Sequence, residues 1–468
     1  MNPPDNFTSQ PRLVQFVPVI AVILLLVLAG RSNGQSTKPD RISPGAAPDV
    51  SPTPLTRDEA VRLALAQASN YQQAQFSESS AVEDVRQAQT AFLPKFISTP
   101  TLIYNSPSSG ATVPHTPGFI GANAITEIQG LVGAVGELDL TGRLRATLRR
   151  NRALLAAAHA GTEAARRALI EATEESYYAL ALTAARRYAS EQNLETAEKF
   201  EQITSLLASG GEVAEVDLIR ARLQTTARRD ELEQARASEA IAADSLRVLI
   251  GYDMTAPVKT VELLNNLPEG AELQNDTPNF ATEAVQNTLA RRPEFLQLEA
   301  LRNAALQDVR LSRAERRPQF TYAINGGFAA DSLRRSSLQQ HSGVLATLSL
   351  TIPLFDWGAS RSRERQAQLR VQTLESTQTL ALRGFAQQFS SARTQALSAA
   401  ARIRLLGASL DLARRNVEIS IARYRAGEAQ IIEVTDAQTT LSAQRAAYAQ
   451  AIYDYRIALA RLRQTTGQ

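Results

Sequence analysis

Two parts of this sequence match each other at a constant interval, and this regularity limits the folds open to the chain. Residues pair at an interval of 216 positions, among them Gly142 with Gly358, Gly211 with Gly427, and Leu246 with Leu462. Further upstream the interval is 224, so a difference of eight residues falls between Pro94 and Leu138. Constant intervals mean that the duplicated segments have kept their lengths, as repeat architectures require. The sequence therefore predicts an internally duplicated fold.

The duplicated segments are too long for the helices of a compact domain. Residues 142–211 and 358–427 contain no proline, and as continuous helix each would extend about 100 Å. The return segments 211–251 and 427–467 would extend about 60 Å, and the opening helix of each repeat roughly 55 Å. Because an opening helix plus a return helix approximately equals a long helix, we expect the two shorter helices to stack end to end beside each long one. Such an arrangement suits the wall of a cylinder.

The last segment carries a seven-residue apolar period. The residues of this period are Val434, Leu441, Tyr448, Tyr455 and Leu462, with Ala437, Ala451 and Ala458 beside them. A seven-residue period is typical of a coiled-coil seam. An amphipathic core helix would show a compatible pattern, but a compact domain has no place for a helix of about 100 Å.

A different period, of two residues, appears between the opening and long helices of each repeat. Polar and apolar residues alternate in 320–325 and 347–352, and residues 127–140 show the same parity. Each repeat therefore inserts a hairpin of two strands, with loops at 106–118 and 331–342. Strands of about ten residues suit a tilted crossing of a bilayer, although a soluble half-buried sheet shows the same alternation. Four strands cannot close a barrel, and an open edge is forbidden in lipid, so membrane strands would require several chains, and three chains give twelve strands.

The N-terminus has the features of an export signal. Arg12 precedes an apolar run over residues 16–30, and small polar residues follow to Gly34, as in a secretory signal peptide. The alternative is a short membrane anchor, although the run is shorter than the ~20 residues that span a bilayer. The chain contains no cysteine, so we expect neither disulfides nor an N-terminal lipid, that is, not a lipoprotein.

The composition argues against nucleic-acid binding and catalysis. The formal net charge is only +3, with no basic cluster that would suggest nucleic acid. His115, His159 and His341 are far apart in the sequence, and no phosphate-binding Gly-Lys motif occurs. We therefore expect no enzyme activity, no metal site and no cofactor.

These segments give a predicted fold class and organisation. The fold is mainly α with a small β part: long coiled-coil helices, internally duplicated, and four strands. Residues 1–34 form a signal peptide and 35–54 a Pro-rich tether. Repeat one, 55–257, holds a helix, a β-hairpin at about 98–140, a long helix to 209 and a return helix at 212–250. After a linker at 258–279, repeat two, 280–468, holds a helix, a hairpin at about 319–354, a long helix to 426 and a return helix at 428–466.

Three segments resemble the TolC-like outer-membrane efflux proteins, the outer membrane factors of tripartite export systems. They are residues 424–438 (YRAGEAQIIEVTDAQ), 352–358 (IPLFDWG) and 92–94 (FLP). Each motif is weak alone, but their order and spacing extend the likeness over residues 55–467. The resemblance implies a homotrimer whose twelve-stranded transmembrane barrel lies in the outer membrane of a Gram-negative-type bacterium, among its lipids. It also implies a periplasmic helical tunnel, a periplasmic adaptor (membrane fusion) protein and an inner-membrane transporter as partners, and passive conduction in efflux or type I secretion.

The resemblance also assigns roles to individual residues. It implies that Glu433 and Asp436 form the pore constriction, with Asp217 as the repeat-one counterpart of Glu433. The implied hairpin tips and adaptor-docking residues are Gly211, Glu212, Tyr424, Gly427 and Glu428, and the strand-to-helix junctions are Gly142 and Gly358. Some relatives brace the closed state with an arginine where this chain has Ala429, which puts such a latch in doubt.

Two alternatives remain at this point. The acids Glu433 and Asp436 could simply favour the dipole of a nearby helix N-terminus. The whole chain could instead be a periplasmic coiled-coil adaptor, which would also use long helical hairpins but would lack membrane-spanning strands.

Overall fold

The computed structural model describes residues 54–104, 126–261 and 290–466. In chain order the elements are α1 (Arg57–Ala66), α2 (Asn70–Thr90), β1 (Lys95–Tyr104), β2 (Thr126–Leu138), α3 (Arg143–Ser209), α4 (Glu215–Ile250), α5 (Pro293–Ala314), β3 (Gln319–Ala330), α6 (Arg335–Gln340), β4 (Ser342–Thr351), α7 (Ala359–Arg425) and α8 (Ile431–Thr466). The predicted signal peptide at 1–34, the tether up to residue 53, the loop at 106–118, the linker from residue 262 and the start of repeat two at 280–289 lie outside the described residues.

The predicted fold class, mainly helical with a small sheet, is confirmed. The long helices α3 and α7 have 67 residues each, and the return helices α4 and α8 have 36 each. The 331–342 connection, predicted as a plain loop, contains the short helix α6. No helix in the described ranges is both long and apolar enough to cross a bilayer.

The opening segment of repeat one differs from the sequence expectation. The prediction of one opening helix of roughly 55 Å is wrong, because α1 ends at Ala66 and α2 begins at Asn70. Thr56 does cap α1, since its side chain accepts the N–H of Glu59 at 3.2 Å. The break at 67–69 contains neither glycine nor proline, and its one local helix-start residue is Ser69, the N-cap of α2. Repeat two also differs, because its described opening helix begins at Pro293, where proline suits a first helical position.

The helices pack side by side, as their lengths predicted. The long helix α3 contacts α2 and α4, and it also contacts α5 and α8 from the second repeat. The other long helix, α7, contacts α5 and α8. Shorter helices thus follow one another along each long helix. The seam between α3, α7 and α8 is filled mostly by alanines and by Ile403, Ile452 and Tyr455, all buried.

A buried tyrosine lies where the shorter helices of repeat one meet beside α3. Tyr177 is fully buried, and its hydroxyl donates to the carbonyl oxygen of Leu55 at 3.1 Å. Leu55 also forms a parallel bridge with Thr260, in which its N–H donates to Lys259 and its carbonyl accepts from Val261. The start of α1 and the segment after α4 are therefore joined at the middle of the long helix.

The four strands form one antiparallel sheet in the order β1-β2-β3-β4. Because paired residues share a face, the register gives one apolar and one polar face. The apolar face carries Phe96, Leu102, Ile128, Val132, Leu138, Phe320, Ile324, Leu348 and Leu350. The polar face carries Lys95, Thr99, Thr101, Glu127, Gln129, Glu137, Thr321, Asn325, Thr347 and Ser349, interspersed with Ile97, Ile103, Leu131, Val135 and Leu345. Strands β1 and β4 are the unpaired edges among the described residues.

Two glycines of β2 lie beneath aromatic rings of β3. Gly130 pairs with Phe328 and Gly136 pairs with Tyr322. A Cβ atom at these glycines would lie 2.7 Å from the Phe328 ring and 2.5 Å from the Tyr322 hydroxyl oxygen. The rings therefore cover the glycine backbone on the apolar face, and this cross-strand pairing holds the register of β2 against β3.

Candidate functional site

Both long helices end in the same hydrogen-bonded reversal. Gly211 and Gly427 have φ of 74° and 73°, the left-handed conformation that closes a helix with little cost only for glycine. Beyond them, the N–H of Glu212 donates to Leu207 and that of Glu428 donates to Arg423, each at 2.9 Å. The duplication thus gives each hairpin an identical backbone tip, and the remaining differences lie in side chains.

An ion pair braces the second tip but not the first. Nη1 of Arg423 lies 3.0 Å from Oε2 of Glu433, and Nη2 donates to the carbonyl oxygen of Glu428 at 3.2 Å. The repeat-one positions that match Arg423 and Glu433 are Leu207 and Asp217, so this pair cannot form there. Ala429 provides no latch, and Arg423 braces the tip from the preceding helix instead.

The other two predicted constriction acids have different surroundings. Asp436 is exposed one turn beyond Glu433 on α8, and these two share a helix face by their spacing. Asp217 is partly buried and lies 3.7 Å from Arg220 of the same helix. Arg220 occupies the position that matches Asp436. Repeat one therefore has a base three residues after its acid, whereas repeat two has a second carboxylate there.

A cavity of about 390 Å³ separates the two tips. Four of the predicted site residues line it: Glu212, Asp217, Tyr424 and Gly427. Glu433 and Asp436, in the first two turns of α8, do not line this cavity, and neither do Gly211 and Glu428.

Tyr424, predicted as a docking residue, is buried in the core that joins the tips. It is only 4% exposed, and its ring packs edge-on against Phe200 with centroids 5.2 Å apart. Ala221, Ile431 and Val434 complete this cluster, and burial raises the pKa of Tyr424. Tyr424 therefore fixes the two hairpins against each other rather than presenting a free surface. Phe200 is a site residue that no sequence pattern singled out; it lies one turn before Thr204, which is also buried on the same face of α3.

At the other ends of the long helices, glycine and aspartate act together. Gly142 and Gly358 have φ of 81° and 86° and precede α3 and α7 directly. Asp139 accepts the N–H groups of Leu144 and Arg145 at 3.0 and 3.1 Å. These bonds satisfy donors at the helix N-terminus that would otherwise lack partners.

In repeat two the capping carboxylate is Asp356, which accepts the N–H of Ser360 at 2.7 Å and also its hydroxyl. Hydrogen bonding from Ser360 holds the pKa of Asp356 below its ordinary value. Asp356 lies two residues before its glycine, whereas Asp139 lies three before. This shift of one residue is why matching the two repeats did not reveal the shared capping role. In the described segments, no group of His, Asp and Glu side chains could hold a metal ion.

A protein-family model and several known proteins match this chain. The model of the family described as outer membrane efflux protein matches residues 60–252 and 284–468. The alkaline protease secretion protein AprF of Pseudomonas aeruginosa is 26% identical over 230 residues, which are 49% of this chain and 47% of AprF. The toluene efflux pump outer membrane protein TtgC of Pseudomonas putida is 24% identical over 316 residues, 66% of this chain and 63% of TtgC. The matched region thus spans about half of the first relative and less than two thirds of the second.

Solved structures share the fold at low sequence identity. The Campylobacter jejuni CmeC outer membrane channel superposes with a TM-score of 0.78 at 19% identity, covering 88% of this chain and 85% of that one. The open state of the Neisseria gonorrhoeae MtrE outer membrane channel gives a TM-score of 0.72 at 19% identity, covering 88% of each.

Proposed function

Because this chain belongs to the outer membrane efflux protein family, we propose that three copies form a passive conduit from the periplasm to the exterior across the outer membrane. The sheet would contribute four strands to a shared barrel of twelve, and the helices would continue it as a tunnel through the periplasm. Exported small molecules or secreted protein would pass through. An inner-membrane transporter would supply the energy, and a periplasmic adaptor would dock at the tips. No catalytic step is required.

The observation that carries this proposal is the sheet with two faces and two open edges. Its apolar face includes exposed Phe96, Leu102 and Leu348, whereas its polar face suits a water-filled interior. Strands β1 and β4 have no further partner in the described chain, and unpaired strand edges are not tolerated in lipid. Neighbouring copies would supply the missing pairing. The adaptor alternative lacks this support, because the family model that matches this chain describes outer membrane efflux proteins.

Cysteine cross-linking tests the shared barrel. Because the chain has no native cysteine, only the introduced cysteines can form a disulfide. Thr99→Cys on β1 would be combined in turn with Leu345→Cys, Thr347→Cys or Ser349→Cys on β4, all on the polar face. We expect one of these double variants to give covalently linked trimers in membranes after oxidation. Each single-cysteine variant is the control and should remain monomeric on denaturing gels. Failure of every combination to cross-link would reject a barrel closed between β1 and β4.

We further propose that Glu433 and Asp436 narrow the periplasmic end. Three-fold symmetry would turn each acid into a ring, and closely spaced carboxylates attract cations. In planar bilayers, Glu433→Ala/Asp436→Ala should raise the conductance and reduce its cation selectivity. The matched control is Glu418→Ala, an exposed acid of α7. Unchanged conductance and selectivity in the double variant would reject these residues as the constriction.

A further inference from the structure

A cleft lined by arginines opens where the sheet joins the helices. It has a volume of about 540 Å³ and lies between the first turns of α3 and the last turns of α5. The charged side chains that line it are Arg145, Arg149, Arg310, Arg313 and Arg317, and no carboxylate of the described residues is among the lining groups. Such a concentration of positive charge favours an anionic ligand.

Two of the five guanidinium groups already have carboxylate partners beside the cleft. Nε of Arg145 donates to Asp139 at 2.8 Å, and Nε of Arg313 donates to Glu364 at 2.7 Å. These pairs hold their arginines in place while neutralising much of their charge.

The other three guanidinium groups have no carboxylate partner in the described part of the chain. Arg310 donates only to the neutral side-chain amide of Gln307, at 3.2 Å. The side chains of Arg149 and Arg317 form no ion pair with described residues. The cleft therefore keeps uncompensated positive charge on both of its walls, from Arg149 of α3 on one side and from Arg310 of α5 and Arg317 just after α5 on the other.

The cleft lies on the same side of the chain as the apolar face. A separate cavity is lined by Lys95, Glu137 and Thr321 of the polar face, and it reaches Arg143 and Leu144 of α3. At 3.6 residues per turn, Arg145 and Arg149 of the cleft point roughly to the opposite side of α3. The arginines are thus on the exterior, below the apolar face, rather than towards the polar interior.

The position of the cleft along the chain matches the edge of a bilayer. The apolar face ends at Leu138 and Phe320, and the cleft begins at Leu140. Arg149 lies about 10 Å along α3 from its first residue. A headgroup layer extends roughly 5–8 Å beyond the hydrocarbon core, so Arg145 and Arg317, which are close to the strand ends, lie at the level of the phosphates of the adjoining leaflet, and Arg149 borders that level on its water side.

We propose that this cleft binds the phosphate of an anionic phospholipid headgroup in the leaflet that borders the helices. The inference rests on the proposed function, since it requires the apolar face to contact lipid. Guanidinium groups form strong bidentate hydrogen bonds with phosphate, and Arg149 and Arg317 approach it from opposite walls. The site anchors the barrel at a fixed depth and joins α3 to α5 through a lipid.

The internal duplication supplies a comparison within the chain. At an interval of 216, Arg145 and Arg149 match Arg361 and Arg365; at an interval of 224, Arg310, Arg313 and Arg317 match Arg86, Gln89 and Leu93. The arginines of the long helix are therefore kept in both repeats, whereas the end of the opening helix and the turn after it keep only one of three, Arg86. Among the described residues, the complete set of five arginines therefore occurs between α3 and the end of α5. In the other repeat, leucine occupies the position that matches Arg317.

The test measures lipid binding to the full chain purified in detergent. Native mass spectrometry would follow the binding of dioleoyl phosphatidylglycerol and of dioleoyl phosphatidylcholine to wild type and to Arg149→Gln/Arg317→Leu. We expect the double variant to lose about tenfold in apparent affinity for phosphatidylglycerol, with phosphatidylcholine unaffected, because basic residues near a bilayer surface each attract anionic lipid. The matched control, Arg404→Gln/Arg415→Gln, removes two exposed arginines of α7 far from the strands and should bind like wild type.

Two further measurements distinguish a lipid site from a phosphate site and test the proposed function separately. Inorganic phosphate at the lipid concentration should not displace phosphatidylglycerol; full displacement would show a site for free phosphate and overturn the lipid assignment. Equal lipid binding by the double variant and wild type would overturn the site itself. The double variant should keep the oligomeric state and the conductance of wild type. If wild type itself formed no trimer or did not conduct, that result would count against the proposed function and not against the cleft.

Discussion

The Arg423 guanidinium lies 3.0 Å from the Glu433 carboxylate across the turn of the second hairpin. Glu433 is therefore paired within its own chain, whereas Asp436 and Glu428 form no ion pair with a described residue. An ion pair between side chains that are 48% and 42% exposed stabilises the fold by at most about 1 kcal/mol. Its effect should therefore appear in conduction rather than in stability.

Removing the arginine should expose the charge of Glu433. We expect Arg423→Gln to increase the cation selectivity of the pore in planar bilayers, because three further carboxylates per trimer lose their partners, while the melting temperature changes little. Arg425→Gln is the control, since this neighbouring exposed arginine is not in an ion pair with any described residue. Equal selectivity of the two variants would show that Glu433 does not face the conduction path.

The tip glycine should be intolerant of a side chain. At Gly427 the φ of 73° costs an L-residue roughly 1–2 kcal/mol, so Gly427→Ala should lower the melting temperature followed by circular dichroism. Gly384 lies inside α7, and nothing lies within 4 Å of a Cβ atom there. Gly384→Ala should therefore stabilise the protein by about 0.5–1 kcal/mol. If both alanines had the same effect, the left-handed tip would not be what requires glycine.

The cap of α7 should give a pH-dependent stability. Hydrogen bonds from Ser360 favour the carboxylate of Asp356 in the folded state, which holds its pKa below the ordinary value of 3.8. A lowered folded pKa stabilises the fold above pH 3.8, and the contribution is lost as the pH falls through the folded value. Asp356→Ala should thus lower the melting temperature at pH 7, and this difference should shrink in more acidic solution.

The control for this pH series is Asp84→Ala, which removes an exposed carboxylate whose side chain has no hydrogen bond to a described residue. It should melt like wild type at pH 7. A difference for Asp356→Ala that stayed constant from pH 7 to pH 3 would mean that the loss comes from packing and not from the ionised cap.

The buried hydroxyl at the middle of α3 should contribute to stability. Tyr177→Phe removes the donor to the Leu55 carbonyl, which still accepts from Val261. We therefore expect a loss of only about 1 kcal/mol, measured as a lower midpoint in urea. Tyr188→Phe is the matched control, because Tyr188 is 49% exposed on the same helix. A neutral result at Tyr177 would show that the junction is held by apolar packing alone.

Segment lengths and periods were readable from the sequence because they depend on local rules. A stretch without proline continues as helix, a glycine in the left-handed conformation ends it, and alternation marks a strand. These rules gave the long helices, the tip glycines Gly211 and Gly427, and the four strands. The break between α1 and α2 obeys no such rule, because residues 67–69 contain no helix breaker and the chain bends there to place Ala60 and Ala64 against Tyr177.

By itself the sequence determined the duplication, the fold class and the composition of each element, since these depend on residues close together in the chain. Only the tertiary structure decided which charges meet. It paired Arg423 with Glu433 and left Asp436 exposed, and it buried Tyr424 against Phe200. It also brought arginines of α3 and α5, more than 150 positions apart, to the two walls of one cleft. Such contacts depend on how distant helices pack, and no local period in the sequence records that packing.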